Sequence, residues 1–193
     1  MKPIRIVVMQ VIWMLLIFAC CEAEAADKRE WVKLTGCQYV AQDYNDGDSF
    51  HVKCGADEYI FRLYFVDAPE TNLRYAERTR EQSEHFGVTL DETMKAGVKA
   101  KEAVRDILQK PFVVWTRWAT AQGRGRVLRY YGFIEIDGKG LAEILVSMGL
   151  ARTKGAKAKL PSGEKSKVYV ERLQALERDA QQLGIGIWAG SKK

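Results

Sequence analysis

Residues 59–66 read Tyr-Ile-Phe-Arg-Leu-Tyr-Phe-Val, apolar on both faces of a strand-length run with Arg62 as its one charge. A strand that is apolar on both sides is covered on both sides, which places it in the interior of a sheet. A guanidinium in such a strand is costly to bury without a counter-charge. Arg62 therefore demands an anionic partner. Either a nearby carboxylate forms a structural ion pair with it, or its fork faces a phosphate, which it fits through two parallel hydrogen bonds. Pro69 ends the run.

The rest of the chain supplies a small mixed domain around that strand. Residues 27–36 read as a frayed approach and residues 37–43 as a first strand. Asn45-Asp46-Gly47-Asp48 is a turn cluster, after which residues 49–54 alternate polar and apolar in strand fashion. Residues 70–92 are polar and charged and show no clear period. Thr89-Leu90-Asp91-Glu92 has the form of a capping box. Gly97, Ala100, Val104, Ile107 and Leu108 then recur at helical spacing, predicting a helix that stops before Pro111. Residues 112–116 and 130–136 predict two more strands, the second closed by Asp137-Gly138. Leu141, Ile144, Leu145 and Met148 mark a short helix; Tyr169, Leu173, Leu176, Ala180 and Leu183 mark a longer one. Five short strands and three helices predict an α+β domain with a small closed sheet.

The first 25 residues read as an address. Lys2 and Arg5 precede an apolar run over 6–19, and Ala23-Glu24-Ala25 offers a small-x-small cleavage pattern. Export, to the periplasm or beyond the cell, is the expectation. The apolar run is shorter than the roughly 20 residues of a membrane span, so a retained anchor is the lesser alternative. Cys20 leaves lipid attachment as a third. Cleavage leaves Cys37 and Cys54, which flank a predicted hairpin at similar distances from its turn and are expected to form a disulfide in an oxidising compartment. Two cysteines with only His51 and His85 beside them do not supply four zinc ligands at metal spacing. The formal net charge of +5 suits a polyanionic partner.

Acids gather at two turns. Asp46 and Asp48 sit at the hairpin bend, and Asp67-Ala68-Pro69-Glu70-Thr71 follows the Arg62 strand. Carboxylates brought together from separate turns repel one another unless a cation lies between them, and a hard divalent ion with oxygen ligands fits that need: calcium, or magnesium in a tighter cavity.

Taken together, Asn45-Asp46-Gly47-Asp48-Ser49 and the run from Phe61-Arg62 to Pro69-Glu70-Thr71 resemble the Asp-Gly-Asp-Thr turn and the Arg-to-Pro-Glu-Thr strand of the staphylococcal nuclease family, in order and separation. Asp137-Gly138, Gly149-Leu150-Ala151 and the ending Ile187-Trp188 are also similar to that family, so the resemblance covers residues 37–188. It implies a five-stranded barrel of the oligonucleotide-binding (OB-fold) type with three helices and a domain spanning 37–190. It further implies a calcium-dependent nuclease acting on single-stranded or locally melted DNA or RNA. A monomer with no stable membrane span is the expectation, although the residues themselves leave oligomeric state open. By position, Asp48 and Asp67 would be carboxylate ligands to calcium, Ala68 would offer its carbonyl, and Asp46 would stand behind them. Glu70 would orient or deprotonate the attacking water, and Arg62 with a second arginine would hold the phosphate. Counting back from Asp137-Gly138 assigns the second arginine to Arg129. Arg126, in a local Gly-Arg pattern, is the alternative, and Arg124 a remote third.

Two departures from the family pattern stand out. The segment after Thr71 is long and rich in charge, so the cleft rim is expected to be remodelled. Arg152, Thr153, Lys154 and Gly155 stand where the family often has tyrosines, favouring basic contacts over base stacking. The basic stretch 154–167 is either a backbone-contacting patch or a solvated connector. A barrel of this kind could also persist as an inactive nucleic-acid-binding module. A serine or thiol hydrolase and a phosphate-binding loop find no matching motif.

Overall fold

The strand bearing Arg62 closes a barrel. In the computed structural model, which describes residues 30–121 and 127–191, the strands in chain order are β1 (Val32–Val40), β2 (Ser49–Cys54), β3 (Asp57–Leu63), the two-residue β4 (Val66–Asp67), β5 (Phe112–Thr120), β6 (Tyr130–Ile136), and the two-residue β7 (Lys139–Gly140) and β8 (Arg152–Thr153). The helices are α1 (Ala76–Phe86), α2 (Leu90–Ile107), α3 (Leu141–Ser147) and α4 (Ser166–Gln182), followed by a 3-10 turn at Gly186–Gly190. Antiparallel pairings run β3-β2-β1-β5-β6, and a parallel pairing of β3 with β6, Arg62 opposite Tyr131, closes the ring. β7 extends β6 as a hairpin, and β4 pairs separately with β8.

Phe50, Val52, Phe61, Leu63, Val114 and Ile134 fill the barrel, and Leu141, Leu145, Tyr169 and Leu173 from α3 and α4 belong to the same core. A second cluster of Phe86, Ala96, Ala180, Ile187 and Trp188 ties α1 to α2, α4 and the 3-10 turn. The Thr89–Glu92 capping box opens α2: Thr89 Oγ1 accepts from the Glu92 amide and Glu92 Oε2 accepts from the Thr89 amide. Cys37 and Cys54 are disulfide-bonded across 17 positions. The closed loop contains Asp46 and Asp48, and loop-closure entropy alone makes such a bond worth roughly 3 kcal/mol.

Three elements differ from the sequence expectation. β1 begins at Val32, within the stretch expected to be frayed. Its first half pairs with β5 and its second half with β2, across a register shift between Leu34 and Cys37 where Gly36 adopts φ +67°. The first half is held by ladder hydrogen bonds while most of its side chains face water, so it has no hydrophobic signature. β3 stops at Leu63 instead of running to residue 66. Phe65 has φ +70°, a conformation costly for a bulky residue, held by its amide bond to the Ala156 carbonyl at 2.9 Å and by its ring against Tyr169. That corner turns the chain so that β4 can pair with β8. The third difference is α1, a fourth α-helix among the described residues, in the segment that showed no period. No described helix is long and apolar enough to cross a membrane. The expected signal segment, Cys20, Arg124 and Arg126 lie outside the described residues.

Candidate active site

The site forms where the β1–β2 turn, the β4 corner and α1 meet. Asn45 is buried and fixes the turn: its Nδ2 donates to the Val40 carbonyl at 2.8 Å, and its Oδ1 accepts from the His51 amide and from His51 Nδ1. Asp46 Oδ1 accepts from the amides of Asp48 and Ser49 at 3.0 and 2.6 Å. Burial pushes the Asp46 carboxyl well up, and the charge of Asp48 adds to it. This turn aims Asp48 inward, where it is buried.

Asp48 and Asp67 are bridged by Arg62. Its Nη1 stands 2.9 Å from Asp48 Oδ1 and its Nη2 2.9 Å from Asp48 Oδ2, while Nη2 is 3.3 Å from Asp67 Oδ1. The counter-charge that Arg62 requires is thus supplied by two acids, Asp48 just before the neighbouring strand β2 and Asp67 just past its own strand. Asp48, foremost, raises the Arg62 pKa and secures its positive charge. Asp48 Oδ2 also accepts from the Ala68 amide at 3.0 Å, which locks the turn to the β4 corner. Asp48 Oδ1 accepts no hydrogen bond of good geometry.

The long insertion after Thr71 supplies much of what surrounds these acids. From α1, Arg78 pairs with Asp67, places Nε 2.6 Å from Glu70 Oε1 and comes within 3.9 Å of Asp48. Gln82, fully buried on the same helix, donates to Asp67 Oδ2 at 3.0 Å and to the Ala68 carbonyl at 2.9 Å, and accepts from the Glu70 amide at 2.8 Å. From β8, Arg152 reaches Asp67 and forms a forked pair with Glu81 at 2.8 and 2.5 Å. Burial pushes the Asp67 carboxyl up, but Arg78, Gln82 and Arg152 outweigh it and hold the pKa below the usual value. Glu70 goes the other way: burial raises its carboxyl, and Arg78 offsets only part of that.

Asp46, Arg62, Glu70 and Arg78 open into one cleft of about 550 Å³. Arg129, just before β6, lies on the same cleft with Nη1 3.4 Å from Ser49 Oγ. Tyr44, Tyr75 and His51 also line it. Of the residues singled out in the sequence, Asp48, Asp67, Ala68, Glu70, Arg62 and Arg129 therefore come together. Sequence reasoning missed Arg78, Gln82, Tyr44 and Tyr75. It noted Arg152 only as a basic replacement, whereas this side chain is buried in an ion pair and unavailable to a phosphate.

The donors available to a cation are all oxygens: two buried carboxylates, the Ala68 carbonyl and the nearby Glu70. In kind they fit a hard divalent ion. As the side chains stand, no three acidic, imidazole or thiolate groups among the described residues converge into a metal-holding cluster. The reason is visible in the contacts above: the Arg78 guanidinium stands among Asp67, Glu70 and Asp48.

The sequence model of the family described as staphylococcal nuclease homologue matches residues 60–190. The match takes in Arg62, Asp67, Glu70 and Arg129, while the turn carrying Asp46 and Asp48 precedes it. No curated protein matches the chain. With the closed five-stranded barrel and the matched span together, this chain belongs to the staphylococcal nuclease homologue family.

Proposed function

We propose that the protein is a calcium-dependent nuclease that hydrolyses phosphodiester bonds of DNA or RNA. The observation that carries this reading is that Arg62, Glu70 and Arg129 open onto one cleft, with Asp48 and Asp67 buried directly behind Arg62 and paired with it. Asp48, Asp67 and the Ala68 carbonyl would hold calcium, whose chemistry there is to withdraw charge from a phosphoryl oxygen. Glu70 takes a proton from water as its oxygen attacks phosphorus. Its burial keeps this carboxyl more basic than an exposed one, as a general base requires. Arg62 and Arg129 oppose the negative charge that builds on the phosphoryl oxygens before the bond to the leaving oxygen breaks. Tyr44, two-thirds exposed at the cleft wall, offers a ring on which a splayed base of a single strand stacks.

The disulfide supports the proposal that residues 1–25 direct export to an oxidising compartment. We take the working unit to be a monomer. The second reading, an inactive nucleic-acid-binding module, is favoured by one observation: the acids are already engaged by Arg62, Arg78 and Arg152. One experiment separates the two. Under the nuclease reading, protein lacking residues 1–25 degrades single-stranded DNA with calcium and stops with excess chelator, and Glu70→Gln folds but loses at least 100-fold in turnover, the scale of a general base. Binding of the same DNA with no calcium-dependent cleavage leaves only the module.

A further inference from the structure

Three guanidinium groups meet the acids of the site, and they differ in how firmly they are held. Arg152 is 3 % exposed and clamped by Glu81, and Arg62 is 12 % exposed within the barrel ladder. Arg78 is 36 % exposed and hangs into the cleft from α1. That helix is fastened by other residues, Gln82 on the site side and Phe86 in the second core cluster, so the Arg78 side chain can leave without the helix moving. The position of its guanidinium is also particular: one group contacts Asp67 and Glu70 and lies 3.9 Å from Asp48, the three acids to which the calcium reading gives a ligand or base role. Among the described residues, no other cation touches all of them.

We propose that Arg78 is a displaceable internal cation, which fills the place among Asp48, Asp67 and Glu70 in the metal-free protein and must swing out for a divalent cation to enter. The proposal rests on the calcium reading given above. Without any cation between them, three partly buried carboxylates would repel one another. Arg78 relieves that repulsion through the metal-free state, and Arg62 and Arg152 remain to position Asp67 once it leaves. Metal entry then exchanges one positive charge for two and frees Glu70 from its ion pair. Released Arg78 lies at the cleft rim, where a phosphate backbone gives it a new partner. Nucleic acid and metal thereby favour each other's binding through a single side chain.

The test is calcium titration by calorimetry in the absence of nucleic acid, on the wild type, Arg78→Met and Arg78→Lys, with thermal melting of each. Arg78→Met is expected to bind calcium at least tenfold more tightly than the wild type, to melt lower without calcium and to gain more from calcium. Arg78→Lys retains a competing charge and is expected to fall between the two. Calcium binding equal in the wild type and Arg78→Met overturns the displacement while leaving the calcium reading intact. Absence of calcium binding in both overturns both. Should Arg78→Met fail to fold, nitrogen-15 NMR of the wild type reads the same event: calcium is expected to make the Arg78 Nε–H exchange faster with water. A signal unchanged at calcium saturation overturns the proposal.

Discussion

Arg152 stands opposite Asp67 in the β4–β8 ladder and clasps its carboxylate with Nε at 2.9 Å and Nη2 at 2.8 Å. The two are separated by 85 positions in the chain, yet their backbones are register partners. The ion pair and the strand pairing therefore specify the same geometry. Both side chains are almost wholly removed from water. Arg152→Met leaves the carboxylates of Asp67 and Glu81 short of a partner, and breaking one side of a buried pair costs about 3–5 kcal/mol. Urea unfolding of the variant checks this. A loss under about 1 kcal/mol, the range of a surface pair, would show that Arg62, Arg78 and Gln82 carry Asp67 without Arg152.

The same arginine makes part of the stability depend on acid. Hydrogen bonds from Arg152, foremost, and from Lys154 lower the Glu81 pKa from 4.5 to about 2. A carboxyl depressed by folding contributes stability above its unfolded pKa, and that contribution is lost as pH falls through the folded value. The window here is pH 4.5 down to about 2. Glu81 is 48 % exposed, so solvent screening limits the effect to no more than about 1 kcal/mol. Denaturation curves of the wild type and Glu81→Gln are expected to differ most above pH 4.5 and to converge toward pH 2.

Why the acids were legible from sequence and α1 was not has a physical reason. Arg62 stood out because it is a charge in an apolar strand, and Asp48 and Asp67 because turns with clustered carboxylates need neutralising. These signals are local. The buried face of α1 is Thr79, Gln82, Ser83 and Phe86, spaced at a helical period but with polar side chains at three of the four positions. A helix that packs on a polar site buries hydrogen-bonding groups where an ordinary helix buries leucines, so a hydrophobic period does not reveal it. β8 was missed because two residues of strand leave no pattern at all. The corner at Phe65 was missed because its positive φ is imposed by the Ala156 carbonyl and the Tyr169 ring, both remote in sequence.

Gln82 is the residue through which that helix organises the centre. One carboxamide serves three partners, each on a different residue of the β4 corner: Asp67, Ala68 and Glu70. Gln82→Leu leaves these groups unsatisfied, at a cost of roughly 1–3 kcal/mol. Gln82→Glu keeps the acceptor for the Glu70 amide but sets a negative charge beside Asp67 Oδ2 and the Ala68 carbonyl. Its loss of stability at pH 7 is expected to exceed that of Gln82→Leu, and to shrink as the pH is lowered and the new carboxyl protonates. Equal losses at both pH values would mean that the charge is not felt there.

Gly97 sets how closely α2 approaches the segment that carries Pro69 and Glu70. A Cβ built on it would lie 2.5 Å from the Glu70 carbonyl oxygen and 2.6 Å from that of Pro69. Both obstacles are backbone, so no side chain can rotate to make room. In an exposed helix, Gly→Ala gains about 1 kcal/mol of propensity. Here the added methyl must push the helix or the corner aside, and overpacking of this kind costs about 1–3 kcal/mol. Gly97→Ala is therefore expected to lower stability despite its better helix propensity. Under the proposed nuclease reading it should lower turnover further, because the displaced segment carries Glu70 and a shift of a few tenths of an ångström to 1 Å would misalign a water that this carboxylate activates. Lys99→Ala, at an exposed position two residues along the same helix, is expected to change stability by less than about 0.5 kcal/mol. Urea unfolding and calcium-dependent hydrolysis of single-stranded DNA, measured on both variants, check the contrast. If Gly97→Ala proves as stable and as active as the wild type, the contact between α2 and the Glu70 segment does not position Glu70.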